Sequence, residues 1–326
     1  MNELLLVGFV AFAFLLTAWA SAHLCARWAE RLPRSLARSS SSRAAIALLP
    51  IAVGTGVALS LVSPPAFFGG CHCIAHPHHI HLCFEHAAFS WSLAFASVVA
   101  AIGLVVAVRA VISVLVDVNE TARWSSRLRV TRAERDADIG IATELEAGAV
   151  TVGLLRARII VGATLWSQLD ETGRNAIAAH ERAHVARRDP LTLLVLRLAA
   201  CVMPGRASRM LIDGWRRAAE MACDRAAAQS LGDPYALASA LVECGRIQSL
   251  EQRSSRRAAG LAAADSDDLE LRVSSLLEEP ISAATRSSTR GDLIGVMLAM
   301  AAVAFAVTVL GGASAHHAAE TVLGWI

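Results

Sequence analysis

The sequence predicts a mainly α integral membrane protein of four transmembrane helices, with an α+β cytoplasmic domain inserted between the third and the fourth. Composition points there first: 55% of the 326 residues are hydrophobic, 18% are charged and mean hydropathy is +0.49. Ordinary globular domains are less apolar and more charged. Four stretches, residues 4–22, 44–62, 89–108 and 293–312, contain no charged side chain. Each has about the 20 residues that a helix needs to cross a bilayer. The third observation is an uneven distribution of arginine between the connections.

No lysine occurs, so every basic residue is arginine and chemistry that needs a lysine amine is excluded. The connection 23–43 carries Arg27, Arg31, Arg34, Arg38 and Arg43, whereas residues 63–88 and 313–326 carry none. The long connection opens after Arg109 and closes with Arg286 and Arg290. Positive charge stays on the cytoplasmic side, so both termini are expected outside and residues 109–292 inside. The first span has no basic segment ahead of it and three more follow, so it reads as retained and not as a cleaved signal. Charge-free spans do not suggest an ion pathway. A net charge of +2 gives no reason to propose direct nucleic-acid binding, which leaves membrane lipid as the bulk partner. The apolar stretch 191–203 is too short to span and contains Arg197; it reads as a buried cytoplasmic helix, or as one lying against the membrane surface.

The expected organisation is therefore spans 1 and 2 with a basic loop (1–62), an extracytoplasmic Cys/His-rich loop (63–88), span 3 (89–108), a cytoplasmic domain (109–292), span 4 (293–312) and a short outer tail (313–326). Within the domain, "AVTVGLL" (149–155) and "ARIIVG" (157–162) have the β-branched character of short paired strands. A helix follows, with Asp170 as its N-cap and Glu171 in its first turn. On it lies "HERAH". His180 and His184, at i and i+4, share one helical face and can reach one metal ion, and Glu181 is placed to take a proton from water there. "AAEMACDRAA" puts Glu220 and Asp224 one turn apart on a second helix. A zinc peptidase needs a third protein ligand and benefits from a carboxylate that fixes an imidazole tautomer. Glu220 suits the first task and Asp224 the second; the alternative is a surface helix with solvated acids. Tyr235, the single tyrosine, and Arg225 are both candidates for a donor to the oxyanion, and the sequence does not separate them.

"TVGLLRARIIVG", "AIAAHERAHVARRDP", "EMACDRAA" and "DPYALASALVEC", in that order between two spans, resemble the peptidase domain of BlaR/MecR-type integral-membrane zinc metallopeptidases. "LRVSSLLEEP" (271–280) resembles that family's arginine-to-leucine stretch. The resemblance covers roughly residues 90–312. It implies a gluzincin-type fold in a bacterial cell membrane, with a small sheet whose edge strand holds an extended substrate, and a structural role for Asp189. It also implies that an external signal activates the inner protease, which then inactivates a dimeric winged-helix repressor of the BlaI/MecI type. Self-cleavage occurs in such families, and the polar stretch 249–268 is the accessible candidate here. Antibiotic-sensing members carry a penicillin-binding domain with a serine nucleophile and a lysine after the last span. With about fourteen residues there and no lysine, this chain is not expected to sense β-lactams.

The expected sensor is the outer loop, "CHCIAHPHHIHLC". Cys71, His72, Cys73, His76, His78, His79, His81 and Cys83, with His86 after them, offer soft and imidazole ligands suited to a second zinc or to copper. A Cys71–Cys83 or Cys73–Cys83 disulfide, a histidine pH sensor and plain interface residues are the alternatives. Ligand density favours metal. The remaining cysteines, Cys25, Cys201, Cys223 and Cys244, read as buried small hydrophobes. Two other functions compete with signalling: constitutive quality control by an HtpX-like protease, and a metal-binding membrane protein with a vestigial peptidase domain.

Overall fold

The computed structural model describes residues 2–62, 101–116, 119, 130–132, 138–143, 145, 148–154, 157–203, 205–255, 264–278 and 291–323. The described chain is mostly helical with one small sheet. The Cys/His loop, from Cys71 to His86, lies outside the described residues, as does the centre of the 249–268 stretch.

Among the described residues, three helices are long and apolar enough to cross a membrane. They fall in α1 (Asn2–Ala29), α3 (Ser40–Val62, after the one-turn α2, Arg34–Ala37) and the last helix, whose apolar section is Leu293–Gly311. Helix α1 continues to Ala29, beyond the expected end of the first span at residue 22. Cys25, Ala26 and Ala29 keep it helical because they are buried against other helices. Residues 89–100 of the expected third span are outside the described residues. The described part, α4 (Ala101–Val116), runs past Arg109 and beyond the expected end at 108, since nothing from Ala110 to Val116 breaks a helix. Exposed Leu298, Phe305 and Leu310 give the last helix an apolar flank suited to lipid.

The sheet has the order β1-β2-β4-β3, formed by Val130–Arg132, Ile139–Ala142, Arg158–Gly162 and Ala149–Val152 respectively. The two expected strands are present as the antiparallel pair β3–β4, with Thr151 opposite Ile159; β2 joins β4 in parallel, and β1 joins β2 antiparallel. Central β4 is buried from Ile159 to Gly162, which explains its continuous apolar run, while β3 is an edge strand. Helices α5 (Ala163–Gln168), α6 (Glu171–Arg187), α7 (Asp189–Val202), α8 (Arg206–Leu231), α9 (Pro234–Ser255) and α10 (Ala264–Glu278) follow, and the last helix is α11 (Gly291–Leu323).

Two apolar cores result. One lies under the sheet, where Ile139, Ile159 and Val161 meet Ile177 of α6 and Leu237, Leu241 and Ile247 of α9. The other joins α1 and α3 to the following helices, where Ala22, Ala26 and Ala47 meet Leu196 of α7 and Leu211 and Trp215 of α8. The short apolar helix foreseen at 191–203 is therefore buried against α1 and α3 as part of α7. Helix α8 belongs to both cores, since Ala227 and Ala228 at its far end lie under the sheet.

The spans meet through small residues, as helices do where apolar burial gives no driving force between them. At Gly56 an added Cβ would lie 2.6 Å from Val307 Cβ and 2.7 Å from the Ala304 carbonyl oxygen of α11. Gly56→Val is expected to part α3 from α11 and to destabilise the fold by about 1–3 kcal/mol, read as a lower unfolding midpoint in detergent micelles.

Candidate active site

Helix α6 begins where Asp170 caps it, accepting the Gly173 amide at 2.7 Å. It ends at Arg188, a non-glycine residue in the left-handed region (φ 55°), whose N–H reaches the His184 and Val185 carbonyls. Such a residue is strained. The turn it makes starts α7 at once, and Asp189, the first residue of α7, comes back under His184.

Two histidines from α6 and Glu220 from α8 converge. The Nε2 atoms of His180 and His184 are 3.2 Å apart; Glu220 places Oε2 3.3 Å from the first and Oε1 3.5 Å from the second. The other ring nitrogens turn outward to carboxylates. His184 Nδ1 is 2.8 Å from Asp189 Oδ2, and His180 Nδ1 is 2.9 Å from Asp224 Oδ1. The second contact is close in distance but is not a straight hydrogen bond, so His180 Nδ1 is held there by charge proximity. Each aspartate then meets an arginine. Arg272 of α10 grips Asp224 with Nε and Nη2 at 2.7 and 2.8 Å, and its Nη1 is 3.3 Å from Glu220 Oε2. Arg187 Nε is 3.3 Å from Asp189 Oδ2, and its Nη2 donates to Ser40 Oγ at the start of α3 at 2.7 Å. Glu181 is buried, and Thr151 on edge strand β3 donates its hydroxyl to Glu181 Oε2 at 2.8 Å.

This arrangement fits a divalent cation on two counts. Ligands at 2.0–2.1 Å in tetrahedral geometry lie about 3.3 Å apart, and the three separations among the two Nε2 atoms and Glu220 are 3.2, 3.3 and 3.5 Å. Charge gives the second. Among the described residues, Glu181, Asp189, Glu220 and Asp224 stand against Arg187 and Arg272, and with neutral imidazoles that leaves an excess of two negative charges.

The family model described as BlaR1 peptidase M56 matches residues 88–276, more than half of the chain. The chain belongs to the BlaR1 peptidase M56 family. No curated protein and no solved structure matches it. The M56 match takes in α6, α8 and Arg272, and it stops two residues before α10 ends.

The electrostatics of this M56 site follow from its crowding. Burial would lower the His180 pKa, but the neighbouring Asp224 and Glu220 carboxylates push it up to about 10. Without a cation, the same negative excess draws a proton onto the ring. Burial would raise Glu220 and Asp224, yet His180 and Arg272 hold each at about 2. Burial opposes the Arg272 charge, and Asp224 and Glu220 more than restore it. Burial, followed by the Asp189 charge, pushes the Cys223 thiol far above its usual range.

Several participants differ from the sequence expectation. Asp189, expected only to be structural by resemblance, contacts a candidate ligand directly. Cys223 is fully buried as foreseen, but its Sγ lies 3.4 Å from both His184 Nδ1 and Asp189 Oδ2 and donates to the carboxylate. Arg225 leaves α8 on a different face from Glu220 and donates to the Arg38 carbonyl at 3.1 Å. Tyr235 is 71% exposed at the start of α9. The guanidinium that does reach Glu220 is that of Arg272.

Partners that orient ligand histidines typically contribute 10–100-fold in metal affinity. Asp224→Asn and Asp189→Asn are each expected to weaken divalent-metal binding by that factor, measured by competition with a chromophoric chelator. Asp138→Asn is the control: its carboxylate pairs with Arg182 on the exposed side of the same helix, and affinity should stay within twofold.

Proposed function

We propose that the chain is a zinc metalloendopeptidase, with His180, His184 and Glu220 as metal ligands and Glu181 as general base. The triangle of donor atoms with edges of 3.2–3.5 Å carries this reading. Zinc held there supplies a Lewis acid for the peptide carbonyl and makes water acidic enough to attack near neutral pH.

The side chains do the rest. Thr151 occupies Glu181 Oε2, which leaves Oε1 to take the proton of the attacking water and pass it to the leaving amine nitrogen. Asp189 and Asp224 hold the imidazoles with Nδ1 outward, so that Nε2 keeps its lone pair for the metal. Among the described residues β3 is bonded only to β4, so its other edge is open to an extended polypeptide beside Glu181. That favours an endopeptidase acting on extended chain.

The substrate in this reading is a cytoplasmic winged-helix repressor of the BlaI/MecI type, and the signal is external metal or redox state taken up by the loop from Cys71 to His86. The loop's ligand density supports the second part. The packing of α7 and α8 on the inner ends of α1 and α3 supports a route from the membrane to the site. Cleavage of the chain's own 249–268 stretch fits the same chemistry.

Immunoblots of the full chain co-expressed with such a repressor test the reading. Cleavage should need Glu181, vanish in Glu181→Ala, and rise on adding copper or zinc to the medium. Cleavage that ignores metal and survives Cys71→Ser, Cys73→Ser and Cys83→Ser together would support quality control in place of signalling. Within the active protease, Thr151→Val should lower kcat about tenfold with little change in KM, and Thr151→Ser should restore most of it, as expected for one hydrogen bond to a charged group.

A further inference from the structure

We propose that Arg272 is a positioning residue of the metal centre, acting through Asp224 on His180; the inference rests on the zinc reading above. Its guanidinium presents a two-pronged fork to Asp224, at 2.7 and 2.8 Å, and Asp224 in turn meets His180 Nδ1 at 2.9 Å. The aspartate side chain is 2% exposed and the arginine 20%, so water does little to replace either partner. A fork of this kind fixes a carboxylate in plane and direction as well as in charge. Because the His180–Asp224 contact is not a straight hydrogen bond, the ring depends on where the carboxylate is held.

Arg272 comes from neither ligand helix. It stands on α10, which is seated on α9 by Leu269, packed so closely that a Cβ at Gly245 would be 2.8 Å from Leu269 Cδ2, and by buried Leu276. That helix ends at Glu278, thirteen residues before α11 begins. One of the two imidazoles is thus braced by the segment that leads into the last span.

Two effects of opposite sign follow from losing Arg272. The fork's loss frees Asp224 and loosens His180, which weakens metal binding. Loss of a cation 3.3 Å from Glu220 removes a charge that repels metal, which strengthens it. Glu220 is 37% exposed, so solvent screens the second effect, while the fork is buried. Positioning therefore dominates.

The test uses the full chain in micelles, with zinc affinity read by chelator competition and ligand geometry by the visible d–d bands of the cobalt-substituted protein. Arg272→Lys keeps the charge and loses the fork. It should weaken zinc about tenfold and shift the cobalt bands. Asp224→Asn should weaken zinc at least as much, and Arg272→Lys on top of it should add nothing, because both act on one contact. If Arg272→Lys does not fold, Arg272→Gln with Asp224→Asn leaves no buried carboxylate unpaired and supports the same comparison with Asp224→Asn alone. Wild-type affinity in Arg272→Lys, tighter zinc in Arg272→Gln, or losses that multiply in the double variant would each overturn the inference and leave the zinc reading standing. A wild-type chain that binds no zinc would remove both.

Discussion

Buried negative charge is the constraint around which the site is built. A carboxylate inside an apolar helical unit is tolerated only when paired, and here the pairing is layered. Each histidine turns one nitrogen to Glu220 and the other to an aspartate, and each aspartate turns to an arginine. The two branches have the same order, His180–Asp224–Arg272 and His184–Asp189–Arg187, and draw on different parts of the chain. Removing one partner would leave an unpaired charge next to the others, so the branches are rigid for the same reason that they are costly to bury. The two charges left over at the centre suit the site to a cation.

Local backbone geometry makes the second branch possible. Without the left-handed turn at Arg188, α6 and α7 would form one rod and Asp189 would point away from His184, five residues earlier. Pro190 helps to end the first helix, because the residue before a proline is disfavoured in a helix interior and proline is well placed in a first turn. Strain at one residue is thereby exchanged for a second carboxylate at the ligands. Cys223 completes this corner with a thiol, a weak donor that burial and Asp189 keep protonated.

What the sequence made legible was whatever a single helix decides. His180, Glu181 and His184 share one helical turn, and Glu220 and Asp224 another, so spacing alone placed them on common faces. The strand pair β3–β4 was legible from β-branched residues in the same way. The roles of Thr151 and Arg272 were not, because they meet their partners across 30 and 48 residues; Arg272 stood out only as the arginine of the 271–280 stretch that carries the family resemblance, with no partner assigned to it. Arg225 looked eligible by sequence proximity, yet helical rotation sends it towards the connection between α1 and α3. Helix α1 outlasts the apolar stretch that the sequence marks as a span, because small residues such as Ala26 and Ala29 find a neighbour to pack on.

Helix α8 is anchored at both ends, by Leu211 and Trp215 at the membrane and by Ala227 and Ala228 under the sheet, with Glu220 close to its midpoint. A rod held in this way responds very differently to two kinds of movement. Tilting displaces the ends and leaves the middle nearly still. Turning about its own axis carries the middle as far as the ends. With side-chain tips about 5–6 Å from the axis, a turn of about 20° would swing the Glu220 carboxylate by about 2 Å, enough to open a triangle whose longest edge is 3.5 Å. The triangle of candidate ligands would therefore be far more sensitive to rotation of α8 about its own axis than to tilting about its midpoint.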